Sequence, residues 1–517
     1  MHVALITPTP PDISAFGMRS ISAVLKQAGH RVTLIFLPGG IEQHTVSGER
    51  VYQYPDHLMD RIVQICRDTD MVGVSFMTNY FDRAVQVTQT VKSRLKVPVI
   101  WGGTHPTVKP DEGLDFADFV CMGEGEEVLL ELLQAMEEAR DYRKIANLWM
   151  RENGREIKNP PRPLITDLDA LPIFDFGLDG HFVFNPEVDD IVSMDEALFA
   201  KIVPVMPHRH GKFIPVYRTM ASRGCPHHCT YCANAYFKKM YPAGNYYRRR
   251  SNESVVKEIR EITRRYPFIK AVHFFDDTLF STTVSRLEQF CDLYKREVGL
   301  PFYCQGSPAT IDKQKVEIMI QAGMIFMEMG IQSGSEKICQ LYRRGSTNEM
   351  ILRAAGVIHD FRHQLFTPDY HVILDNPWES VDDTMETLKL ILNLPGRFGL
   401  CLASLTFYPG TALYERALKE GRIRDEINEV YRKAFYKPRS TYLNFLISLK
   451  SYPVVPKWPL KLLSAKILVS MLHRRSLEPL YGPGMRFLEA VRIICKGIQA
   501  LFTGDWRRIF LFFKKER

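Results

Sequence analysis

Over residues 1–145 short apolar runs alternate with segments of helical period. Val3 to Thr7, Val32 to Leu37, Met71 to Phe76, Val97 to Trp101 and Phe119 to Met122 are separated by amphipathic stretches such as Arg83 to Leu95 and Glu126 to Met136. Continuously apolar strands joined by helices predict a parallel, doubly wound α/β sheet, because a strand covered on both faces needs no polar side. Such a sheet binds its ligand where the strands end. The ends read Ser75-Phe76-Met77-Thr78, Gly102-Gly103-Thr104-His105 and Gly123-Glu124-Gly125-Glu126. Glycine admits close approach of a bulky ligand, so Ser75, Gly102, Gly103, His105, Gly123, Glu124 and Gly125 are candidate contacts. Gly123 to Glu126 also reads as a plain strand-to-helix turn, since acids are favoured electrostatically at a helix start.

Residues 146–212 break the rhythm. Asn159-Pro160-Pro161-Arg162-Pro163 and Asp167-Leu168-Asp169-Ala170-Leu171-Pro172 carry no helical period, so this segment is expected as a linker. From 213 to 430 the alternation returns, with strand candidates at Pro215 to Ala221, Ala271 to Phe275, Pro301 to Gln305, Ile325 to Ile331, Asp369 to Leu374 and Cys401 to Phe407. Six repeats are too few for an eight-fold barrel. They predict an open, six-unit partial barrel with its chemistry at the strand C-termini.

Three cysteines stand at the first of those ends. Arg223 to Cys232 reads Arg-Gly-Cys-Pro-His-His-Cys-Thr-Tyr-Cys and spaces Cys225, Cys229 and Cys232 as Cys-x3-Cys-x2-Cys. Three thiolates on one short loop suit an iron–sulfur cluster that keeps one iron without a protein ligand, open to a small molecule. Zinc is the alternative, although it normally takes a fourth ligand and paired Cys-x2-Cys spacing. The other seven cysteines form no regular framework. That argues against a disulfide scaffold and for a reducing, cytoplasmic setting.

With Tyr231 directly before the last cysteine, the loop resembles the signature of the radical S-adenosylmethionine (SAM) enzymes. Gly102-Gly103-Thr104-His105-Pro106-Thr107 and Gly123-Glu124-Gly125-Glu126 resemble the cobalamin-binding domain found in front of many of them. The resemblance closes with Tyr408-Pro409-Gly410-Thr411 after the sixth strand candidate. It implies a 4Fe-4S cluster on Cys225, Cys229 and Cys232, together with SAM and cobalamin. It further implies that Asp276 or Asp277 faces the methionyl ammonium, that Glu328, Gln332 and Ser333 meet the ribose or carboxylate, and that Asn376, Glu379 and the backbone at Tyr231 flank adenine. Each of these polar residues also reads as a cap or a turn.

Some motifs depart from the pattern. Asp375-Asn376-Pro377-Trp378-Glu379 stands where Gly-Leu-Pro-Gly-Glu is frequent, and Ser307-Pro308 stands where Arg is common. The first-strand loop, Pro10-Pro11-Asp12-Ile13-Ser14-Ala15-Phe16-Gly17, lacks the histidine of Asp-x-His-x-x-Gly. Cobalamin with no protein imidazole on its lower face is then implied, and His105 is expected to shape its loop or meet the nucleotide tail.

The implied activity is reductive cleavage of SAM to a 5′-deoxyadenosyl radical, with cobalamin-dependent methylation of an unactivated carbon, or of phosphorus, in a small molecule or lipid. Cobalamin-assisted cyclisation or rearrangement is the alternative within the family; a non-catalytic cobalamin or redox sensor is the alternative from another class. An electron donor such as flavodoxin or ferredoxin is an implied partner.

Composition changes this picture only at the C-terminus. The 517 residues are 45% hydrophobic and 24% charged, which fits a soluble globular chain of two or three domains. The net charge of +8 is uneven, because residues 441–517 hold 14 Lys and Arg against 4 Asp and Glu, leaving a balance of −2 before them. In this basic helical region, 431–517, Leu460, Leu463, Ile467 and Met471 share one helical face, and Phe487, Val491, Ile494, Ile498 and Leu501 another. It reads either as a cap over the barrel mouth or as a peripheral contact with the inner face of the membrane. No base-reading module, secretion signal or membrane-spanning apolar run is found, so neither nucleic acid nor a transmembrane segment is expected.

Overall fold

Apolar runs without polar alternation pack as central strands. In the computed structural model Val3 to Ile6 are essentially fully buried in β1 (His2–Thr7), the middle of a parallel sheet. Its neighbours are β2 (Arg31–Phe36), β3 (Met71–Ser75), β4 (Val99–Gly102) and β5 (Phe119–Cys121), in the spatial order β2-β1-β3-β4-β5. The expected doubly wound topology is present. The structure describes residues 1–8, 13–37, 43–44, 50–51, 53–208, 212–242, 244–452, 455–488 and 490, which divide into two compact units.

The first unit comprises Met1–Ile202, Thr230–Arg250 and Thr406–Ala434. Here the segment expected as a linker adds two strands to each edge of the sheet. A hairpin of β6 (Leu148–Glu152) and β7 (Arg155–Lys158) continues antiparallel from β5, and β8 (His181–Asn185) runs parallel to β2 with β9 (Asp190–Ser193) beyond it. The hairpin turns at Asn153-Gly154, both with positive φ (50° and 76°), which is the pairing that a two-residue turn of matching twist requires. The return of Thr406–Ala434 to this unit also differs from the expected boundary at 430. The Asn79 amide donates to the carbonyls of Tyr431 and Lys433 at 3.0 and 3.3 Å, and Arg432 grips Asp82 with two bonds of 2.8 and 2.9 Å.

The second unit comprises Val203–Cys229, Ser251–Leu405 and Phe435–Arg517. Its sheet opens on a short antiparallel strand, β10 (Val205–Pro207). Six parallel strands follow in sequential order: β11 (Phe213–Thr219), β12 (Ala271–Phe274), β13 (Phe302–Gly306), β14 (Met324–Gln332), β15 (Asp369–Leu374) and β16 (Gly399–Ser404). Sequential parallel order with a helical crossover at each step is the open partial barrel expected. Val216, Ala271, Tyr303 and Phe326 from four neighbouring strands form one apolar cluster. On the opposite face of β11, Tyr217 and Thr219 donate to Glu258 of the Asn252–Arg265 helix at 2.8 and 2.5 Å, a buried carboxylate satisfied twice.

The C-terminal region contains helices Tyr442–Lys450, Lys457–Leu463 and Lys466–Leu472. The single face expected through Leu460, Leu463, Ile467 and Met471 is broken between the last two of these. Leu460 is buried whereas Ile467 is 74% and Met471 54% exposed, because Ala465 restarts the helix in a new direction. Val491, Ile494, Ile498 and Leu501 lie outside the described residues, as do Trp506 to Phe513. Among the described residues no helix is long and apolar enough to cross a membrane.

Candidate active site

The second unit places its candidate chemistry at the C-terminal ends of its strands. β11 ends at Thr219, and the loop that follows is anchored by Asp276, the second residue after β12. Asp276 is wholly buried; one carboxylate oxygen accepts from the Ala221 amide at 2.9 Å and the other from the Ser222 hydroxyl. Asp277 is exposed, since neighbouring residues leaving a strand turn to opposite sides. Gly224 takes φ +80°, a conformation that admits glycine readily, immediately before Cys225. Cys225 and Cys229 are buried and Cys232 is half-buried, and none of the three is in a disulfide. Tyr231 is half-buried beside them in sequence. The chain passes from the second unit to the first between Cys229 and Thr230.

Arg344, which the sequence reading did not single out, reaches this loop. Its guanidinium lies 3.9 Å from the Cys229 sulfur and donates to the Gly330 carbonyl at 2.9 Å. A Cβ on Gly330 would stand 2.6 Å from the Gln332 amide nitrogen and 2.9 Å from Arg344, so glycine is what lets both side chains close over the end of β14. Gln332 is itself at φ +71°. Ser333, by contrast, is buried in the following turn: it meets the Thr387 hydroxyl at 3.1 Å and accepts from the Ser335 amide at 3.1 Å.

After β15, Asn376 accepts from the Trp378 amide at 3.0 Å and its carbonyl accepts from the Glu379 amide at 3.0 Å, closing a tight turn. Glu379 has its pKa pushed up to about 8, by burial first and then by the Asp383 and Asp375 carboxylates, against a smaller pull from Lys337. Deeper in the sheet, the Glu328 carboxylate is 3.1 Å from His371 on the neighbouring strand. Burial alone would raise its pKa; the His371 hydrogen bond and the charges of His273 and Arg218 outweigh that and hold it below the ordinary value. Arg218 and His273 on β11 and β12, and Glu328 and His371 on β14 and β15, thus make a polar group across the sheet, three of them missed by sequence reasoning.

In the first unit the strand-end residues close largely on their own domain. Gly103, at φ +94°, brings its α-carbon against β3: a Cβ there would lie 2.8 Å from the Ser75 hydroxyl and from the Phe76 carbonyl. At Gly123 a Cβ would collide with the Tyr241 hydroxyl, while the Gly123 amide donates to Thr107 at 3.0 Å. Gly125 caps the Glu126–Glu137 helix. Glu124 is bound at both oxygens by Arg248, at 2.9 and 3.0 Å, and accepts from the Ile165 amide at 2.9 Å.

His105 is fully buried. Its ring stacks on Phe76 and meets Phe81 and Tyr431 edge-on, with Nδ1 3.2 Å from the Thr78 hydroxyl and Nε2 3.2 Å from Glu112. Among the described residues, a Cβ would meet nothing within 4 Å at Gly17, exposed in the first turn of the Phe16–Gln27 helix, and only the Cys121 carbonyl, at 3.9 Å, at Gly102. Met77, 45% exposed, adds an apolar side chain after β3. Pro10, Pro11 and Asp12 lie outside the described residues.

The three cysteines of one short loop fit an iron–sulfur cube, which takes its thiolates on separate irons. Elsewhere burial pushes the thiols of Cys66, Cys121 and Cys291 up to about 12, keeping them protonated and poor as ligands.

Two family models match separate stretches of the chain. Residues 3–133 match the B12 binding domain and residues 220–388 the radical SAM superfamily. The chain is 26% identical over 359 residues to the uncharacterized methyltransferase PH0819 of Pyrococcus horikoshii, covering 68% of this chain and 70% of that protein. It is 23% identical over 364 residues to the anaerobic magnesium-protoporphyrin IX monomethyl ester cyclase of Synechocystis, covering 67% and 64%. In fold it resembles the radical SAM methyltransferase TsrM of Kitasatospora setae, solved with cobalamin and a [4Fe-4S] cluster, with a TM-score of 0.58 at 17% identity over 81% of this chain and 75% of that one.

Proposed function

We propose that this chain, which belongs to the radical SAM enzymes that carry a cobalamin-binding domain, methylates an unactivated carbon or a phosphorus of a small molecule or lipid. The observation that carries the reading is the union, on one chain, of a B12 binding domain with a radical SAM domain whose first strand runs into the Cys225, Cys229, Cys232 loop. The bound cofactors supply a deoxyadenosyl radical and a transferable methyl group. That pairing is needed where the acceptor is not a nucleophile, because methyl transfer from SAM alone requires one.

The protein's own residues would prepare the site. Cys225, Cys229 and Cys232 would hold the cluster, and Asp276 would keep their loop seated by fixing Ala221 and Ser222. Arg344 would offer its fork to a carboxylate chelating the open iron while screening the Cys229 thiolate. Gln332 would meet the ribose and the Asn376–Glu379 turn the adenine, with Glu379 protonated at neutral pH and able to donate. Ser333 would act through the turn it braces. Gly17 and Gly102, with Met77, would receive the corrin, while Gly103, Gly123, Glu124 and His105 would hold those loops in shape. Arg218, His273, Glu328 and His371 would orient a polar acceptor. The electron would come from a small carrier such as flavodoxin or ferredoxin.

Cyclisation is the second reading, favoured by the similarity to the Synechocystis cyclase. Product analysis of anaerobically reconstituted enzyme separates the two. Donation of the SAM methyl leaves S-adenosylhomocysteine, so methylation should yield it together with 5′-deoxyadenosine. Cyclisation should yield deoxyadenosine without it, and a preparation with a full cluster that yields neither product would defeat both readings.

A further inference from the structure

In the C-terminal part of the second unit a cavity of about 340 Å³ opens between the start of the Tyr442–Lys450 helix and the segment that follows Leu472. Arg439, Thr441, His473, Arg474, Arg475 and Glu478 line it. Three guanidinium groups face one carboxylate, which gives the walls an excess of two positive charges with the imidazole neutral. Arg439 is held by Glu478 at 3.1 and 3.4 Å. Arg474 and Arg475 are exposed and have no carboxylate within ion-pair distance among the described residues.

His473 accepts from the Leu443 amide on Nδ1 at 3.4 Å, so the neutral ring turns an Nε2–H donor elsewhere. Burial holds that imidazole below its ordinary pKa, with Glu478 pulling it up and Arg439 adding to the fall. The Thr441 oxygen accepts from the Asn444 amide at 3.2 Å, leaving its O–H to donate. The other carboxylate nearby, Asp375, is already engaged by the Arg439 amide at 2.9 Å and the Asn444 side chain at 2.7 Å.

We propose that this cavity is a phosphate site, in which Arg439, Arg474 and Arg475, with the Thr441 hydroxyl and the His473 ring, take a phosphate monoester or diphosphate carried by a small molecule or by a lipid headgroup. Three observations select that chemistry. Planar guanidinium forks match tetrahedral oxyanions bidentately. An excess of two charges matches a phosphate monoester, which carries roughly −1.5 to −2 at neutral pH. The cavity is larger than a lone phosphate needs and falls in the range of about 300–1,000 Å³ typical of small-ligand sites. The two preceding helices expose Trp458 (67%) and Ile467 (74%), which suits a ligand whose phosphate continues into an apolar chain. The Arg439–Asp375 bond ties the site to the first residue after β15.

The full-length protein is titrated at low salt with sodium pyrophosphate by calorimetry, and in parallel floated with phosphatidylcholine vesicles with or without phosphatidic acid. Saturable one-to-one binding of pyrophosphate identifies a soluble phosphorylated ligand; capture only by the phosphatidic acid vesicles identifies a lipid headgroup. In whichever arm binds, Arg474→Gln/Arg475→Gln should weaken affinity at least tenfold, and Glu478→Gln, which frees Arg439, should tighten it. Arg474 and Arg475 are exposed and Glu478 is half-buried, so folding is checked by an unchanged circular dichroism spectrum. Absence of binding in both arms, an unaltered double variant, or no tightening by Glu478→Gln overturns the proposal. None of these readouts needs the cluster or SAM, so they stand or fall apart from the methyltransferase reading.

Discussion

The two sheets present the same kind of strand end and use it differently. In the first unit the polar side chains at the ends fold back on their own domain: Arg248 clamps Glu124, and Thr78 and Glu112 flank His105. Gly17 and Gly102 are the glycines near those ends where a side chain would meet least. In the second unit the corresponding side chains meet chemically reactive groups, as Arg344 meets the Cys229 sulfur and Asp276 holds the cysteine loop. A large cofactor that is recognised by shape needs backbone room, whereas a cluster and a charged ligand need particular functional groups. Substitutions in the first sheet should therefore act on stability, and those in the second on chemistry.

The sharpest break of that contrast is at sulfur. Replacing Cys225, Cys229 and Cys232 together by Ala should abolish the iron–sulfur absorbance and SAM cleavage while the protein still takes up cobalamin. A triple variant that kept its cluster would remove the loop from the site. A stability effect should come instead from the first sheet. Arg248→Ala leaves the half-buried Glu124 carboxylate with the Ile165 amide but without the guanidinium that binds both its oxygens, a loss of a few kcal/mol, below the ~3–5 kcal/mol of a fully buried pair. Denaturant unfolding should show it, with deoxyadenosine production per folded molecule unchanged.

This contrast also marks what a sequence can carry. The cysteine loop and the six parallel strands were legible because spacing and period are local properties. The hairpin at β6 and β7 was hidden by reading 146–212 as proline-rich linker, although Asn153-Gly154 is a two-residue turn signal. That Asp276 rather than Asp277 turns inward depends on where β12 ends, which periodicity does not fix to one residue. Glu258, Arg218 and Arg344 were invisible for a different reason. Their partners are distant in sequence, Arg344 and Cys229 being 115 residues apart. Only the order of strands brings such pairs together.

Arg344→Lys tests the second sheet without touching sulfur. Lysine keeps the charge but loses the fork that spans the Gly330 carbonyl and the Cys229 side. Iron content should be retained and SAM cleavage should fall about tenfold, equivalent to about 1.4 kcal/mol. Wild-type rates with lysine would show that charge alone suffices there.

Glu379 offers an effect with a definite sign. Its folded pKa, about 8, is above the ordinary carboxyl value of 4.5. Between these values the folded state keeps a proton that the unfolded state has released, so stability falls as pH rises through that window. Glu379→Gln keeps the neutral form at all pH. It should match the wild type at or below about pH 4 and exceed it by up to about 4 kcal/mol near pH 8, because the two pKa values lie about 3.5 units apart and each unit is worth about 1.4 kcal/mol. Parallel stability curves for the two proteins would show that the carboxyl is ionised after all.

The smallest expected effect is on the cobalt spectrum, and it bears on whether the first sheet contributes a metal ligand at all. His105 is the histidine of the Gly102–Thr107 strand-end motif, but each of its nitrogens already faces a partner within the domain, Thr78 on one side and Glu112 on the other. To ligate cobalt the ring would have to leave Phe76, Phe81 and Tyr431, giving up three aromatic contacts and baring Glu112. Burial alone would raise the Glu112 pKa; hydrogen bonds from His105 and Tyr431 and the Lys109 charge reverse that and hold it low, so His105 is needed where it is. Bound cobalamin would then take no imidazole from this loop. Electron paramagnetic resonance of bound cob(II)alamin should accordingly show cobalt lines without threefold nitrogen splitting, in the wild type and in His105→Asn alike. Triplets that vanish in the variant would make His105 the ligand; triplets that persist would point to the benzimidazole or another histidine.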